Sequence, residues 1–185
     1  MGYALAECFA ESGALVYLVS GPTTQQARHP AIQVFRVTTA DDMYAQVKEL
    51  AEAADILVFA AAVADYKPKI VSEVKMKKKE DSFTLELVKN VDIAKNIGQN
   101  KKTGQFTVGF ALETDNEIAH AQAKLETKNL DMIVLNSLQD AGAGFRHDTN
   151  KITIIQKDKI ITFGLKPKTE VARDIVQFIA NTIHV

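Results

Sequence analysis

The stretch "DILVFAAAV", Asp55 to Val63, decides the fold. After the charge at its head it is continuously apolar, the mark of a strand buried on both faces of a parallel sheet. "FTVGFAL" (106–112) and "LDMIVLNS" (130–137) read the same way. Working outward, "TADDMYAQVKELAEAA" (39–54) predicts a helix with Thr39 as N-cap and acids in its first turn. "NEIAHAQAKLETKN" (116–129) is helical as well. Upstream, "ALVYLVS" (14–20) and "IQVFRV" (32–37) are strands. Residues 2–13 form a helix carrying Ala4, Leu5, Cys8 and Phe9 at helical spacing, with Gly13 at its C-terminal end. A last helix covers about 168–183. The alternation implies an α/β fold: an open, Rossmann-like, mostly parallel sheet with helices on both faces. Such folds begin with a strand, whereas this chain opens inside a helix, so its first strand is expected to be missing.

Two segments break the alternation. Residues 73–88 hold "VKMKKKED" (74–81) and then "SFTLELV", which alternates in period two and predicts a projecting β arm. After a glycine-rich loop, "DAGAGFRHDTN" (140–150), "KITIIQKDKIITF" (151–163) predicts two strands about a Lys157-Asp158 turn.

Composition bounds the function. The 185 residues suit one domain, 1–185, with 46% hydrophobic and 24% charged residues. Lysine plus arginine (22) nearly balance aspartate plus glutamate (23), which argues against a general nucleic-acid or membrane-surface binder. Any anion site must be local. The single cysteine, Cys8, excludes an internal disulfide and a cysteine metal cluster and suits a reducing, cytoplasmic setting. The N-terminus lacks the features of a signal peptide. No apolar stretch reaches the roughly 20 residues needed to span a bilayer.

Ligands of open α/β sheets sit beyond the carboxyl ends of the strands. There "AAAVADYKPK" (60–69) offers small residues for close approach and Asp65 as a carboxylate; Asp65 reads equally as the cap of a turn. Lys75, Lys77 and Lys79 share one face of an extended arm. They serve either to blunt an edge strand or to neutralise phosphates. "KNVDIAKNI" (89–97) places Asn90 or Val91 ahead of a short helix and Asp92 in its first turn. Phe110 ends a strand, as core or as a stacking surface for a base, and Glu113 follows it. Lys124 and Lys128 lie four apart on one helix face. No His/Asp/Glu cluster has metal-ligand spacing, so the metal ligands are unknown. Neither GxxxxGK[ST] nor GxGxxG occurs.

In order, "AAAVADYKPK", the K-x-K-K run, "VKNVDI", "VGFALET", "KNLDMIVLN" and "DTNKITII" resemble the phosphopantothenoylcysteine synthetases. These include the C-terminal half of the bacterial bifunctional coenzyme A biosynthesis flavoproteins. The resemblance covers essentially the whole chain. It implies a ligase that joins 4'-phosphopantothenate to cysteine. CTP (ATP in eukaryotic members) activates the carboxylate as an acyl-nucleotide, with Mg²⁺ as cofactor and a homodimer as the working form. It also implies fusion, in the parent chain, to a flavin-dependent decarboxylase. By this resemblance Lys75 is the catalytic lysine, and CTP is bound by Phe59, Ala60, Ala61, Asp65, Lys75, Val91, Asp92, Ile93, Ala94, Phe110, Lys124 and Lys128. The family often has proline where Val91 stands. Its upstream N-x-S-S-G-K-M-G segment meets this chain only at the final Met-Gly, so the phosphopantothenate site is expected to be incomplete and the chain inactive alone.

Two other readings stay open. A nicotinamide-dependent reductase on a Rossmann-type fold would want an acid at the end of its second strand, where Ser20-Gly21-Pro22 has none. A non-catalytic nucleotide-binding fragment would need only the binding residues.

Overall fold

Thr39 opens the second helix as expected: its hydroxyl accepts from the Asp42 N–H, and the Asp42 carboxylate accepts in return from the Thr39 N–H. The structure, a computed structural model, describes residues 1–72, 74, 83–137 and 148–183. The helices are α1 Gly2–Glu11, α2 Ala40–Ala51, α3 Ile93–Gln99, α4 Glu117–Thr127 and α5 Lys168–Ile183. The strands are β1 Val16–Ser20, β2 Ile32–Arg36, β3 Ile56–Phe59, β4 Tyr66–Pro68, β5 Leu87–Lys89, β6 Phe106–Glu113 and β7 Met132–Ser137. They continue with β8 Thr149–Asn150, β9 Ile152–Gln156, β10 Lys159–Thr162 and β11 Lys166–Pro167.

The central sheet runs β10-β9-β7-β6-β3. Within it β3, β6 and β7 are parallel, and β9 and β10 close one edge antiparallel about the expected turn. β1 and β2 form a separate parallel pair, so the parallel order is interrupted between β1 and β3. Helix α1 spans the interruption. Its Tyr3 hydroxyl donates to Ser20 at the carboxyl end of β1 (3.0 Å), while Gly2 lies against Ala60 just beyond β3.

Helices cover both faces. Under α1 and α5, Leu5, Val108, Met132, Val134, Ile154, Ile175 and Ile179 form the largest apolar cluster. On the other face α4 packs through Ala121 and Leu125, and α2 and α3 through Ala51, Ile93 and Ile97. The Gly13 expectation holds: its φ of 93° is the left-handed step that ends α1 just past Ser12. Asn129 (φ 51°) plays that part after α4, its side-chain amide donating to the Gly98 carbonyl (2.8 Å).

The structure corrects two boundaries. The expected strand 55–63 is hydrogen-bonded only over Ile56–Phe59, and only Leu57 in it is buried. β3 ends the five-stranded sheet, so it lacks the second neighbour that would bury it. The expected arm 73–88 is rooted farther out: Tyr66–Pro68 pairs with Leu87–Lys89, and residues 83–86 are not strand. Its lysine run and the 138–147 part of the glycine-rich loop lie outside the described residues.

Candidate functional site

The carboxyl end of β3 runs directly into the root of the arm. Past Phe59 the backbone leaves the sheet through Ala60 and Ala61, and reaches Asp65 and then β4. The return strand β5 delivers Asn90, whose backbone N–H donates to the Asp65 carbonyl (2.8 Å) and whose side-chain N–H donates to the Ala64 carbonyl (2.8 Å). Two segments far apart in sequence, 60–65 and 90–94, are thereby tied edge to edge. The Asp65 carboxylate is exposed and makes no ion pair among the described residues.

Asp92 caps α3, its carboxylate accepting from the Lys95 N–H (3.0 Å). Lys128, from the end of α4, reaches the same carboxylate at 3.0 Å. Partial burial pushes the Asp92 carboxyl up, but the Lys95 N–H and Lys128 outweigh it and hold the group below the usual aspartate range. Lys124, one turn earlier, pairs with Glu113 at the end of β6, and His120 stands 3.6 Å from the other oxygen of that carboxylate. Both expected lysines therefore point to carboxylates at this rim.

The expected residues divide by face. Phe59 packs toward α2, α3 and α4, whereas Phe110, in the strand beside it, packs toward α1 and α5. Period-two alternation forces this, because Phe59 is in register with Gly109. Ile93 is buried and belongs to the α2–α3 core; Val91 is exposed and Ala94 half-exposed. Lys75 lies outside the described residues.

The sequence placed Asn90 ahead of a short helix and Glu113 after Phe110 without a role for either, and passed over His120. Asn90 left one signal, a polar residue between a strand and a helix cap. The Glu113–Lys124 pairing had none, since strand end and helix turn meet only in the fold. Cys8 is buried, and that burial, with Glu11 nearby, pushes its thiol up against the opposing effect of Arg173; it is no candidate nucleophile.

A cavity of about 330 Å³ lies at the other end of the sheet, lined by Tyr44, Lys48, Asn96, Lys101, Lys102 and Gln105 among others. Its Lys101 is held by Asp131 (2.7 Å) and Lys102 by Glu52 (2.6 Å), and Gln105 ties the Ala51 and Ala54 carbonyls. Lys101 and Lys102 here satisfy acids and the end of a helix.

Residues 1–183 match the model of the DNA/pantothenate metabolism flavoprotein C-terminal domain. The chain belongs to this family. Among curated members of similar sequence, it is 48% identical over its full length to a cysteine/cysteine sulfinic acid decarboxylase of an unknown prokaryotic organism, covering 52% of that protein. It is 44% identical to the coenzyme A biosynthesis bifunctional protein CoaBC of Bacillus subtilis (strain 168), over 97% of this chain and 44% of that one. The chain thus spans about half the length of these relatives. A crystal structure of the C-terminal domain of a CoaBC superposes with a TM-score of 0.82 at 37% identity, covering 99% of this chain and 82% of that one. Both arrangements share the flavoprotein C-terminal-domain fold, with the mixed, helix-covered sheet described above.

Proposed function

We propose that this domain is the nucleotide-activating part of a phosphopantothenate–cysteine ligase in coenzyme A biosynthesis. What supports the reading most is the family match over residues 1–183, joined to the rim where the 60–65 and 90–94 segments are tied together and where Asp92 and Glu113 meet lysines from the end of α4. In the reaction a carboxylate oxygen of 4'-phosphopantothenate attacks the α-phosphorus of CTP, and the bond to pyrophosphate breaks. The cysteine amine then attacks the acyl carbon, an amide forms, and CMP leaves.

The protein's share is placement and positive charge. Phe59, Ala60 and Ala61 line the nucleotide; Asp65 and the backbone of Val91, Asp92, Ile93 and Ala94 hold its nucleoside end; Phe110 supports the strand end beneath it. Lys124 and Lys128 exchange Glu113 and Asp92 for phosphate oxygens. Lys75 is assigned to the transferring phosphorus. Mg²⁺ belongs to the reading as a neutraliser of triphosphate charge, yet among the described residues no three His, Cys, Asp or Glu side chains gather.

A homodimer is part of the proposal. The arm root exposes Tyr66, Ile70, Val71, Val74, Phe83, Leu85 and Leu87, apolar surface that a second copy would cover. A cytoplasmic setting and a decarboxylase partner domain in the parent chain complete it. Among the described residues no helix is long and apolar enough to cross a membrane.

Titration with CTP, ATP and NADH by calorimetry, each with Mg²⁺, tests the reading: saturable heat with CTP, and pyrophosphate release when 4'-phosphopantothenate and cysteine are added to the full-length parent. Nucleotide binding without pyrophosphate release by that parent would favour a non-catalytic nucleotide-binding module instead.

A further inference from the structure

Glu113 is the more enclosed of the two paired acids at the rim: its side chain is 13% exposed, against 39% for Asp92. Two side chains of α4 meet its carboxylate, one on each oxygen. Lys124 pairs with Oε1, and the ring Nδ1 of His120 stands 3.6 Å from Oε2. They lie four residues apart and so share one face of the helix. At 3.6 Å the imidazole is beyond a good hydrogen bond, so in this arrangement Lys124 compensates the charge.

Nucleotide binding disturbs this arrangement. When Lys124 turns from Glu113 to phosphate oxygens, a carboxylate largely closed to water faces an incoming polyanion with no partner. An acid stripped of its partner in such a place is strongly disfavoured. A replacement cation must come from within reach. On the strands that α4 packs against, β6, β7 and β9, Glu113 is the only charged side chain. Helix α4 itself carries Glu117, Lys124 and Glu126, Asp115 lies in the turn before it, and Lys128 at its far end is held by Asp92. His120 is the group in this set that can gain a positive charge, and histidine does so in the physiological range. Its side chain is 48% exposed, so a proton reaches it from water.

Resting on the nucleotide reading above, we propose that His120 is a positioning residue of that site: as the nucleotide binds, His120 takes a proton from solvent and closes on Glu113, which frees Lys124 for the phosphates. The imidazole becomes an imidazolium whose Nδ1–H donates to Oε2, and the proton comes from water or buffer. His120 acts through Glu113 and does not touch the nucleotide. A positive charge at position 120 favours the bound state, so affinity falls as pH rises through the histidine range.

The test is calorimetry of CTP with Mg²⁺ in two buffers of different ionisation enthalpy, which counts the protons taken up. The wild type should take up a few tenths of a proton more than His120→Gln or Glu113→Gln at about pH 7.5, just above the histidine range. Each variant is checked for a cooperative melt, and the difference removes the nucleotide's own titration. Between about pH 6.5 and about pH 8, wild-type affinity should fall roughly fourfold more than that of His120→Gln. His120→Lys, which is charged throughout, should bind CTP at the higher pH as tightly as the wild type does at the lower. Should His120→Gln not fold, His120→Lys takes its place, since it too must lose the uptake. Equal uptake in the wild type and the His120 variant overturns the proposal, although nucleotide binding then stands. Uptake that persists in Glu113→Gln overturns it as well, because His120 would then be meeting phosphate directly. A wild type that binds no CTP sinks the nucleotide reading itself.

Discussion

Under α1 and α5 the sheet meets apolar side chains: Val171, Ala172, Ile175 and Ile179 show no exposed surface, and neither do Val108 and Met132 beneath them. Toward the carboxyl ends on the α3–α4 side, the ties are polar and partly exposed: Lys128 on Asp92, Lys124 on Glu113, and Asn90 on Ala64 and Asp65. One face is held by burial, which has no direction and resists exchange. The other is held by directional polar bonds that stay partly open to solvent. Exposed ion pairs stabilise by at most about 1 kcal/mol, so that face gives up little stability by remaining exchangeable. Apolar burial and exchangeable polar ties thus lie on opposite sides of one sheet.

The comparison breaks first if the apolar face proves expendable. Ile175→Ala should cost about 2–5 kcal/mol of unfolding free energy, read by urea or thermal melts. A loss under 1 kcal/mol would mean the α5 seam is not the main support. Of similar size is Gly98→Ala, for a different reason: a Cβ there would overlap the Lys128 carbonyl oxygen, backbone that cannot step aside, so α3 and α4 must move apart. Gly109→Ala meets only the flexible end of Leu130 and should cost less.

On the polar face the expected effects are functional. Lys75→Gln in the full-length parent should slow acyl-nucleotide formation by about 100-fold or more, the scale of losing one charge partner in the transition state. Near-normal turnover would remove Lys75 from the chemistry. Lys128→Ala should weaken CTP by about tenfold, on the order of one charge-assisted hydrogen bond, while moving the melting temperature little. A large fall in stability with unchanged affinity would reverse the contrast between the faces.

The smallest effect is a pH dependence. The folded Asp92 carboxyl lies below its ordinary value, so its contribution is present above that value and fades as pH falls through the folded one. Stability should therefore decline below about pH 4, the ordinary aspartate range, and Asp92→Asn should flatten part of that decline. Asp42 and Glu52, both also held low by hydrogen bonds from Thr39 and Lys102 respectively, contribute to the remainder.

Much of this was legible in the residues. The apolar runs at 106–112 and 130–137 gave β6 and β7, and Thr39 with Asp42 marked the start of α2. The Lys157-Asp158 turn placed β9 against β10. Less legible were features set by partners far away in sequence. "DILVFAAAV" promised a doubly covered strand, but pairing on one edge only leaves most of it half-exposed. Alternation in "SFTLELV" suggested a long strand, yet the partner segment pairs only over Tyr66–Pro68, which leaves the arm root three residues a side. For the site, Asp65, Asp92, Lys124 and Lys128 stood out as charges in strand-end positions, whereas Asn90 and Glu113 acquire their roles only from contacts that sequence distance hides.

The most direct test of a nucleotide bound at the α3–α4 rim is a backbone amide chemical-shift map of the protein titrated with CTP and Mg²⁺. The account predicts saturable shifts concentrated in 59–65, 90–94 and around Lys124 and Lys128. Shifts gathered instead about Tyr44, Lys101 and Gln105, at the cavity on the opposite end of the sheet, or no saturable shifts at all, would contradict it.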